Sequence, residues 1–550
     1  MKREQNIQSN ATIWMVSREY DGLAGAGGVK DVCRQLAESL AGEGGYPVRV
    51  ILPRYGFMDP EQLGFSPLAL SGTQAGIIGG RQCGSCFTVD MNYLELERRE
   101  RVAIWLQVIN GVRVYLVEAE RFGEKLGVYT YTSEEEQSAS WKNQGSGHYD
   151  YFAMNILLQK AALETMILCN DVPWVVHCQD GHAAILPAMM RENSGYRHFF
   201  RHTGAVVTVH NAGIGYHQEI DDLDFAKVIT GLPKTIILEN LLGKSFDPFL
   251  AAADYAVLNT VSENYGRELQ QTTEDARTGW LGHALKARDV ELRGVTNGID
   301  PATFDPVNPQ ELGLAAPFDV LGGRLEGKLE CKNDLLSHVG QLKQWEYVEQ
   351  FGYLASAPEV PLFTFIGRLT GQKGIDIVLD CIQQFFGTRD DMQLLILGSG
   401  ESEVEEELQQ NAEHSDVTGR FCFLKGFDSA LANKVYAAGD FFLIPSQYEP
   451  CGLTDYIAQL LGNVPIVHHV GGLVKVLDGK TGFAYQENSY QGLVGAMERA
   501  LVLYEQPEQH QRMQKAAVEN IFACHTWQHV MSEYILLYEQ AQGLTVGAAQ

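Results

Sequence analysis

Asn297-Gly-Ile-Asp-Pro-Ala-Thr-Phe-Asp-Pro-Val-Asn-Pro309 interrupts an otherwise regular pattern. Asn, Asp and Pro crowd this stretch, and Pro can neither donate a backbone hydrogen bond nor continue a helix, so it reads as a linker. Before it, apolar runs at Ile13–Ser17, Val48–Leu52, Trp174–His177 and Ala205–His210 each end in a polar or Gly segment. After it, a poorly patterned stretch leads to a second series starting near Leu362, with runs at Leu362–Gly367, Leu394–Gly398 and Phe441–Ile444. Runs of Val, Ile, Leu and Phe suit parallel strands covered by helices on both faces. Amphipathic stretches between the runs supply those helices, so each series predicts repeated βαβ units. The expected class is α/β, with two Rossmann-like, doubly wound domains facing each other across a cleft. The boundary falls near 300–310, giving domains of 1–305 and 306–525. Ligands of such sheets bind beyond the carboxyl ends of the strands, so the loops there are where chemistry is sought.

The composition agrees. At 550 residues the chain exceeds one ordinary domain, and 45% hydrophobic, 10% aromatic and 20% charged residues are ordinary for a globular protein. Asp and Glu number 69 against 42 Lys and Arg, a formal charge of −27. That balance repels nucleic acid and anionic membrane, whereas a neutral polymer meets no such barrier. A phosphate-bearing ligand then needs a local basic site. The opening MKREQNIQSNATIWMVSREY has basic residues without a long apolar core, which argues against a secretory leader. No run of about 18 apolar residues predicts a membrane span. Ten cysteines are scattered, and only Cys83 and Cys86 form a C-x-x-C. Zinc needs about four ligands, so that pair reads as reduced thiols near a loop, and a cytoplasmic setting fits.

Four segments carry candidate chemistry. Gly22-Leu-Ala-Gly-Ala-Gly-Gly-Val-Lys-Asp31 follows the first strand and precedes a helix over Val29–Leu40. Its glycines, Gly27 and Gly28 among them, let backbone N–H groups approach a phosphate, although a tight glycine turn needs the same residues. In Phe365-Ile-Gly-Arg-Leu-Thr-Gly-Gln-Lys-Gly-Ile375, Arg368 and Lys373 lie on a loop between a buried strand and a helix. Two cations there can clamp a pyrophosphate and neutralise a leaving group; the alternative is a pair of surface cations matched with acids. In Asp440-Phe-Phe-Leu-Ile-Pro-Ser-Gln-Tyr-Glu-Pro-Cys-Gly-Leu-Thr454, the Glu449 carboxylate can accept from sugar or ribose hydroxyls. The amides from Gly452 through Leu453 to Thr454 open a helix suited to phosphate. Cys451 is either a small site-lining residue or an inert buried thiol. Gly471 and Gly472 make a further turn where backbone can approach a ligand. Last, Thr208-Val-His-Asn-Ala-Gly-Ile-Gly215 runs a strand into a polar loop, where His210 is either a sugar-binding or a structural residue.

Taken in this order, these segments resemble glycogen and starch synthases, glycosyltransferase family 5. His177-Cys-Gln-Asp180, Thr260-Val-Ser-Glu-Asn-Tyr265, Asn297-Gly-Ile-Asp300, Tyr485 beyond Thr481-Gly-Phe483, and Trp527 agree, and the match runs from about residue 13 to 540. The resemblance implies a GT-B fold and retaining transfer of glucose from a nucleotide sugar, usually ADP-glucose, to the non-reducing end of an α-1,4-glucan. It gives Arg368 and Lys373 the departing diphosphate, Glu449 the glucose hydroxyls and His210 a place near the sugar. Asp180 and Asn211 fall on the acceptor side. It implies no metal, no cofactor and no covalent nucleophile. It also implies a closing helix over 526–543 that crosses back to the first domain, ahead of a loose tail at 544–550. Two departures bear on substrates. The family's K-T-G-G-L is here Gly25-Ala-Gly-Gly-Val29, without its lysine, which leaves UDP-glucose or another donor open. Its H-x-H-D-W is here His177-Cys-Gln-Asp-Gly181, so Gln179 and Gly181 leave the acceptor open. A catalytically poor glucan- or nucleotide-binding protein is the reading from another class. A glycoside hydrolase needs paired carboxylates, and nothing in the sequence pairs Asp180 with Glu449. Oligomeric state has no signature here.

Overall fold

The computed structural model describes residues 11–547. The chain divides into two compact units, one ending at Gly298 and resumed from Trp527, the other Ile299–Thr526. This division precedes the expected 305/306 boundary by a few residues.

In the second unit, among the described residues, six strands are parallel: Leu362–Ile366, Gln393–Gly398, Arg420–Gly426, Phe441–Ile444, Val464–His468 and Phe483–Tyr485. Numbered along the chain, their spatial order is 3-2-1-4-5-6, the Rossmann order. Gln393–Gly398 shows why such strands read as unbroken apolar runs. Leu394 and Ile396 enter one hydrophobic core while Leu395 and Leu397 enter the other, because successive side chains leave opposite faces. The series begins earlier than Leu362: Val348–Leu354 pairs antiparallel with Arg420–Gly426 at the sheet edge. Its half-wet burial pattern hid it from a search for continuous runs.

The first unit repeats this order. Ile13–Val16, Val48–Pro53, Val112–Glu118, Val175–Gln179, Gly204–Val209, Val257–Thr260 and Arg293–Gly294 are parallel and run 3-2-1-4-5-6-7. Beyond Val112–Glu118 the sheet continues as antiparallel strands Arg99–Ile109, Arg81–Asp90 and Gln74–Ile78, an extension of the doubly wound part. Tight turns at Gly79-Gly80 and Asn110-Gly111, all at positive φ, close two of the hairpins. Cys83 and Cys86 lie buried on the strand Arg81–Asp90, shortly beyond the Gly79-Gly80 turn, and both are free thiols. The helix Tyr151–Leu168 is apolar on nearly every side and correspondingly buried.

The closing helix runs Trp527–Gly547 and belongs to the first unit, where the Tyr538 hydroxyl meets His177 Nδ1 at 3.0 Å and Trp527 Nε1 donates to Gln35 at 2.6 Å. The tail expected to be loose from 544 is therefore helical to Gly547, and residues 548–550 lie outside those described. No described helix is long and apolar enough to cross a membrane.

Candidate functional site

A doubly wound sheet opens a crevice where its strand order reverses. In the second unit that point lies between Leu362–Ile366 and Phe441–Ile444. The loops leaving these strands carry Arg368, Lys373 and Glu449. They are tied together: Gln447 N donates to Gln372 O at 2.9 Å, and Gln372 Nε2 donates to Tyr448 O at 3.3 Å. Gly374, at φ +70°, lets them approach; a Cβ there would lie 2.0 Å from Pro445 O.

The Lys373 ammonium donates to Glu449 Oε2 at 2.6 Å, and the Ser446 hydroxyl donates to the same oxygen at 3.0 Å. Burial works against charge on Glu449. Lys373, Ser446 and Lys475 more than offset it and hold the carboxyl below its ordinary value. Arg368 is exposed and lies 3.5 Å from Gln372 Oε1. The turn beyond Glu449 folds onto the second glycine pair, since Gly472 N donates to Glu449 O at 2.9 Å and a Cβ on Gly471 would lie 1.9 Å from that oxygen. Cys451 is buried, Gly452 is at φ +75°, and Leu453 precedes the helix Thr454–Leu460.

Sequence reasoning missed Lys475, which fastens this turn. Its ammonium donates to Cys451 O at 2.5 Å and Gly452 O at 2.7 Å, and pairs with buried Asp455 at 3.1 Å. Burial lifts Asp455 to about 6 even beside Lys475. No spacing in the sequence links a lysine to carbonyls 24 and 23 residues earlier.

In the first unit the reversal lies between Ile13–Val16 and Val175–Gln179. Asp180 follows the latter at φ +61°, and its carboxylate accepts from His210 N at 3.3 Å. Burial raises Asp180 to about 7 although the His210 and Asn211 amides oppose this. His210 is buried, which lowers it to about 3 and leaves it neutral, and its Nε2 meets Gln179 Oε1 at 2.7 Å. Asn211 Oδ1 accepts from Gly213 N at 2.8 Å. A Cβ on Gly181 would sit 2.2 Å from His217 O, so this backbone leaves no room for a side chain at 181.

The glycine loop is engaged by its own unit. Glu19 Oε2 accepts from Ala26 N at 2.8 Å and Gly27 N at 3.2 Å, while the Tyr129 hydroxyl donates to Oε1 at 2.7 Å. Gly28 heads the helix Val29–Ala41. Gly25 lies against the stem of Lys30, whose Cδ would be 2.3 Å from a Cβ at 25; the Lys30 ammonium pairs with Asp21 at 2.8 Å and Asp31 at 2.9 Å. Glu19 also escaped the sequence reading, because nothing local ties an acid to amides seven and eight residues on. No cluster of three or more His, Cys, Asp or Glu able to hold a metal occurs among the described residues.

Comparison with known proteins matches residues 12–285 to the family described as starch synthase catalytic domain and residues 349–519 to glycosyl transferases group 1. Glycogen synthase of Syntrophotalea carbinolica is 30% identical over 544 residues, covering 96% of this chain and 98% of its own. That of Aeromonas salmonicida is 27% identical over 542 residues, with coverage of 96% and 98%. Among solved structures, the catalytic domain of starch synthase IV from Arabidopsis thaliana, bound to ADP and acarbose, shares the fold with a TM-score of 0.76 at 23% identity, covering 97% of this chain and all of that one. With a glycogen synthase 30% identical matched along nearly the whole of both chains, and the starch synthase catalytic family matched over the first unit, the chain belongs to the glycogen and starch synthase family of glycosyltransferases.

Proposed function

We propose that the chain transfers glucose, with retention at the anomeric carbon, from a nucleotide sugar to the non-reducing end of an α-1,4-glucan. ADP-glucose is the first donor expected and UDP-glucose the alternative. The Lys373–Glu449 pair, 2.6 Å apart and bridging two loops at the switch point, carries this reading. Relatives named glycogen synthase, and a similar fold solved with ADP and acarbose, support it.

On this reading Arg368 and Lys373 take up the charge of the departing diphosphate. Glu449 stays ionised because Lys373 and Ser446 offset its burial, so its free lone pairs can accept from glucose hydroxyls. His210, neutral at working pH, serves as a hydrogen-bonding group rather than a charge. Acceleration rests on positioning and on charge stabilisation, with no covalent nucleophile and no resident metal. Gly25 gives the motive for comparing donors, since the space beside it is filled by a lysine stem whose ammonium is held by two aspartates.

The test offers labelled ADP-glucose and UDP-glucose with glycogen or maltotriose, with and without chelator, and reads incorporation and nucleoside diphosphate release. Incorporation from ADP-glucose, indifferent to chelator, is expected. Absence of incorporation from both donors sinks the proposal.

A further inference from the structure

The turn beyond Glu449 is held from its buried side by a lysine that the transfer reading does not use. Lys475 ends the single turn of helix Gly471–Lys475, and its side chain is 6% exposed. A buried ammonium is costly unless it is matched, and a methionine would fill similar space without that cost. Here its partners are two successive carbonyls, Cys451 O at 2.5 Å and Gly452 O at 2.7 Å. The fully buried Asp455 lies at 3.1 Å and the Tyr456 ring centroid at 4.4 Å. Peptide planarity carries this arrangement to the other side of the turn. In a trans peptide the C=O and the following N–H point in opposite directions. Two carbonyls aimed at Lys475 therefore send the N–H groups of Gly452 and Leu453 away from it. Gly452 is at φ +75° and Leu453 at φ −111°, ψ −26°. Successive residues of opposite hand curve their N–H groups into a cup suited to an anion. Among the described residues, no group accepts from either N–H. A side chain at 452 is excluded as well, since a Cβ would lie 2.9 Å from Leu473 Cδ2 and 3.4 Å from Lys475 Nζ.

We propose that Lys475 is a positioning residue for the transfer: by gripping the Cys451 and Gly452 carbonyls, it presents the Gly452 and Leu453 N–H groups to the donor's diphosphate. The diphosphate itself rests on the transfer reading. Lys475 touches no substrate, because its ammonium is occupied by the protein. Its contribution is preorganisation. The two N–H dipoles are already turned when the anion arrives, so binding and departure of the diphosphate require no rearrangement of the turn. Against the burial of Glu449, and behind Lys373 and Ser446, the same ammonium also helps hold that carboxyl below its ordinary value.

The test measures ADP and adenosine binding by calorimetry, and transfer from ADP-glucose, in wild type, D455N and the double variant D455N/K475M. The double variant removes both buried charges together and leaves neither unpaired. It is expected to bind ADP roughly tenfold more weakly and to lose at least as much in kcat, with adenosine binding and the KM for glycogen unmoved. D455N, which leaves the ammonium on both carbonyls, stays within about threefold of wild type for ADP. Equal ADP affinity in all three proteins overturns the role of Lys475. So does an equal loss of ADP and adenosine, which marks general damage to the site. D455N as weak as the double variant overturns it too, because the carboxylate rather than the carbonyl contacts would then hold the turn. Hydrogen exchange in wild type covers a double variant that fails to fold. Amides 452 and 453 should exchange more slowly with ADP than with adenosine, and equal exchange overturns the role. Wild type that transfers glucose while ADP binding ignores Lys475 keeps the transfer reading and loses this role. Wild type that transfers from neither donor, yet binds ADP with the expected dependence on Lys475, keeps the role and loses the transfer reading.

Discussion

Each unit places an arginine two residues beyond the first strand of its switch point, Arg18 after Ile13–Val16 and Arg368 after Leu362–Ile366, and the two meet opposite fates. Arg18 is 1% exposed. Its guanidinium donates to the Tyr55 hydroxyl and to Asn155 Oδ1, each at 3.2 Å, and to Val128 O, and it lies 4.8 Å from the Tyr129 ring centroid. Arg368 is exposed, beside Gln372. The neighbouring acids divide likewise. Glu19 turns inward to its own loop amides, whereas Glu449 is held by a lysine that is itself partly exposed. Equal topology therefore does not make equal sites. A glycine loop whose N–H groups are already bonded within the unit is a structural turn first, while a loop that carries its arginine at an exposed position keeps that side chain within reach of a ligand.

The sharpest way to break this contrast is to remove both arginines in turn. Arg368→Ala is expected to lower kcat by about 10²–10³, the scale of losing one preorganised charge-stabilising donor, with the thermal midpoint unmoved because nothing buried is uncovered. Arg18→Ala should act on stability instead. It leaves the acceptors on Tyr55, Asn155 and Val128 unpaired around a cavity, a loss of about 3 kcal/mol read by denaturant unfolding. Should Arg18→Ala unfold like wild type while Arg368→Ala loses stability, the assignment of structural and functional roles would have to be exchanged.

How much of this was legible depends on where the deciding partners lie. The parallel strands showed because burial on both faces demands continuous apolar runs such as Leu394–Gly398. The antiparallel extension did not, because Arg81–Asp90 buries only Cys83, Cys86 and Val89 and so has no continuous apolar run. A signal was nonetheless present: Asn110-Gly111, with φ of 47° and 83°, sits between Arg99–Ile109 and Val112–Glu118 as a two-residue hairpin turn. Arg368, Lys373 and Glu449 were readable because strand, loop and helix order puts them at carboxyl ends. Lys475 and Glu19 were not, because their partners are backbone atoms whose approach only folding creates. The helical continuation to Gly547 runs through Gly543, a residue that local sequence reads as a helix end.

A pH series sharpens the contrast further, because the loop after His210 is also held by buried charge. His217 Nδ1 lies 2.7 Å from Asp247, and its Nε2 lies 2.6 Å from Ala212 O. Burial pulls His217 down, but the Asp247 carboxylate and the Ala212 carbonyl raise it to about 9. A folded value above the unfolded 6.5 means the stabilisation is complete below about pH 6.5 and fades as pH climbs through about 9. Wild type should therefore lose up to about 3 kcal/mol across that window relative to H217Q, measured as unfolding free energy against pH. Parallel curves for the two proteins would remove His217 as the charge that fixes this loop.

The smallest expected effect tests the claim about the glycine loop most directly. Glu19 is charged at a cost, since burial raises its carboxyl above the ordinary value in spite of the Ala26 and Gly27 amides and the Tyr129 hydroxyl. In Glu19→Gln the amide oxygen can still accept from the loop, and the Tyr129 hydroxyl can turn to accept from the new NH2 group. Weaker neutral hydrogen bonds then replace charge-assisted ones while the desolvation penalty disappears, so the net change should stay under about 1 kcal/mol. Glu19→Ala has no such compensation. It leaves the Ala26 and Gly27 N–H groups without their acceptor and should cost about 1–3 kcal/mol, with faster amide exchange at those two positions. If alanine proved as harmless as glutamine, the loop amides would be satisfied without Glu19, and the inward-turned site would lose the interaction that distinguishes it from Arg368, Lys373 and Glu449.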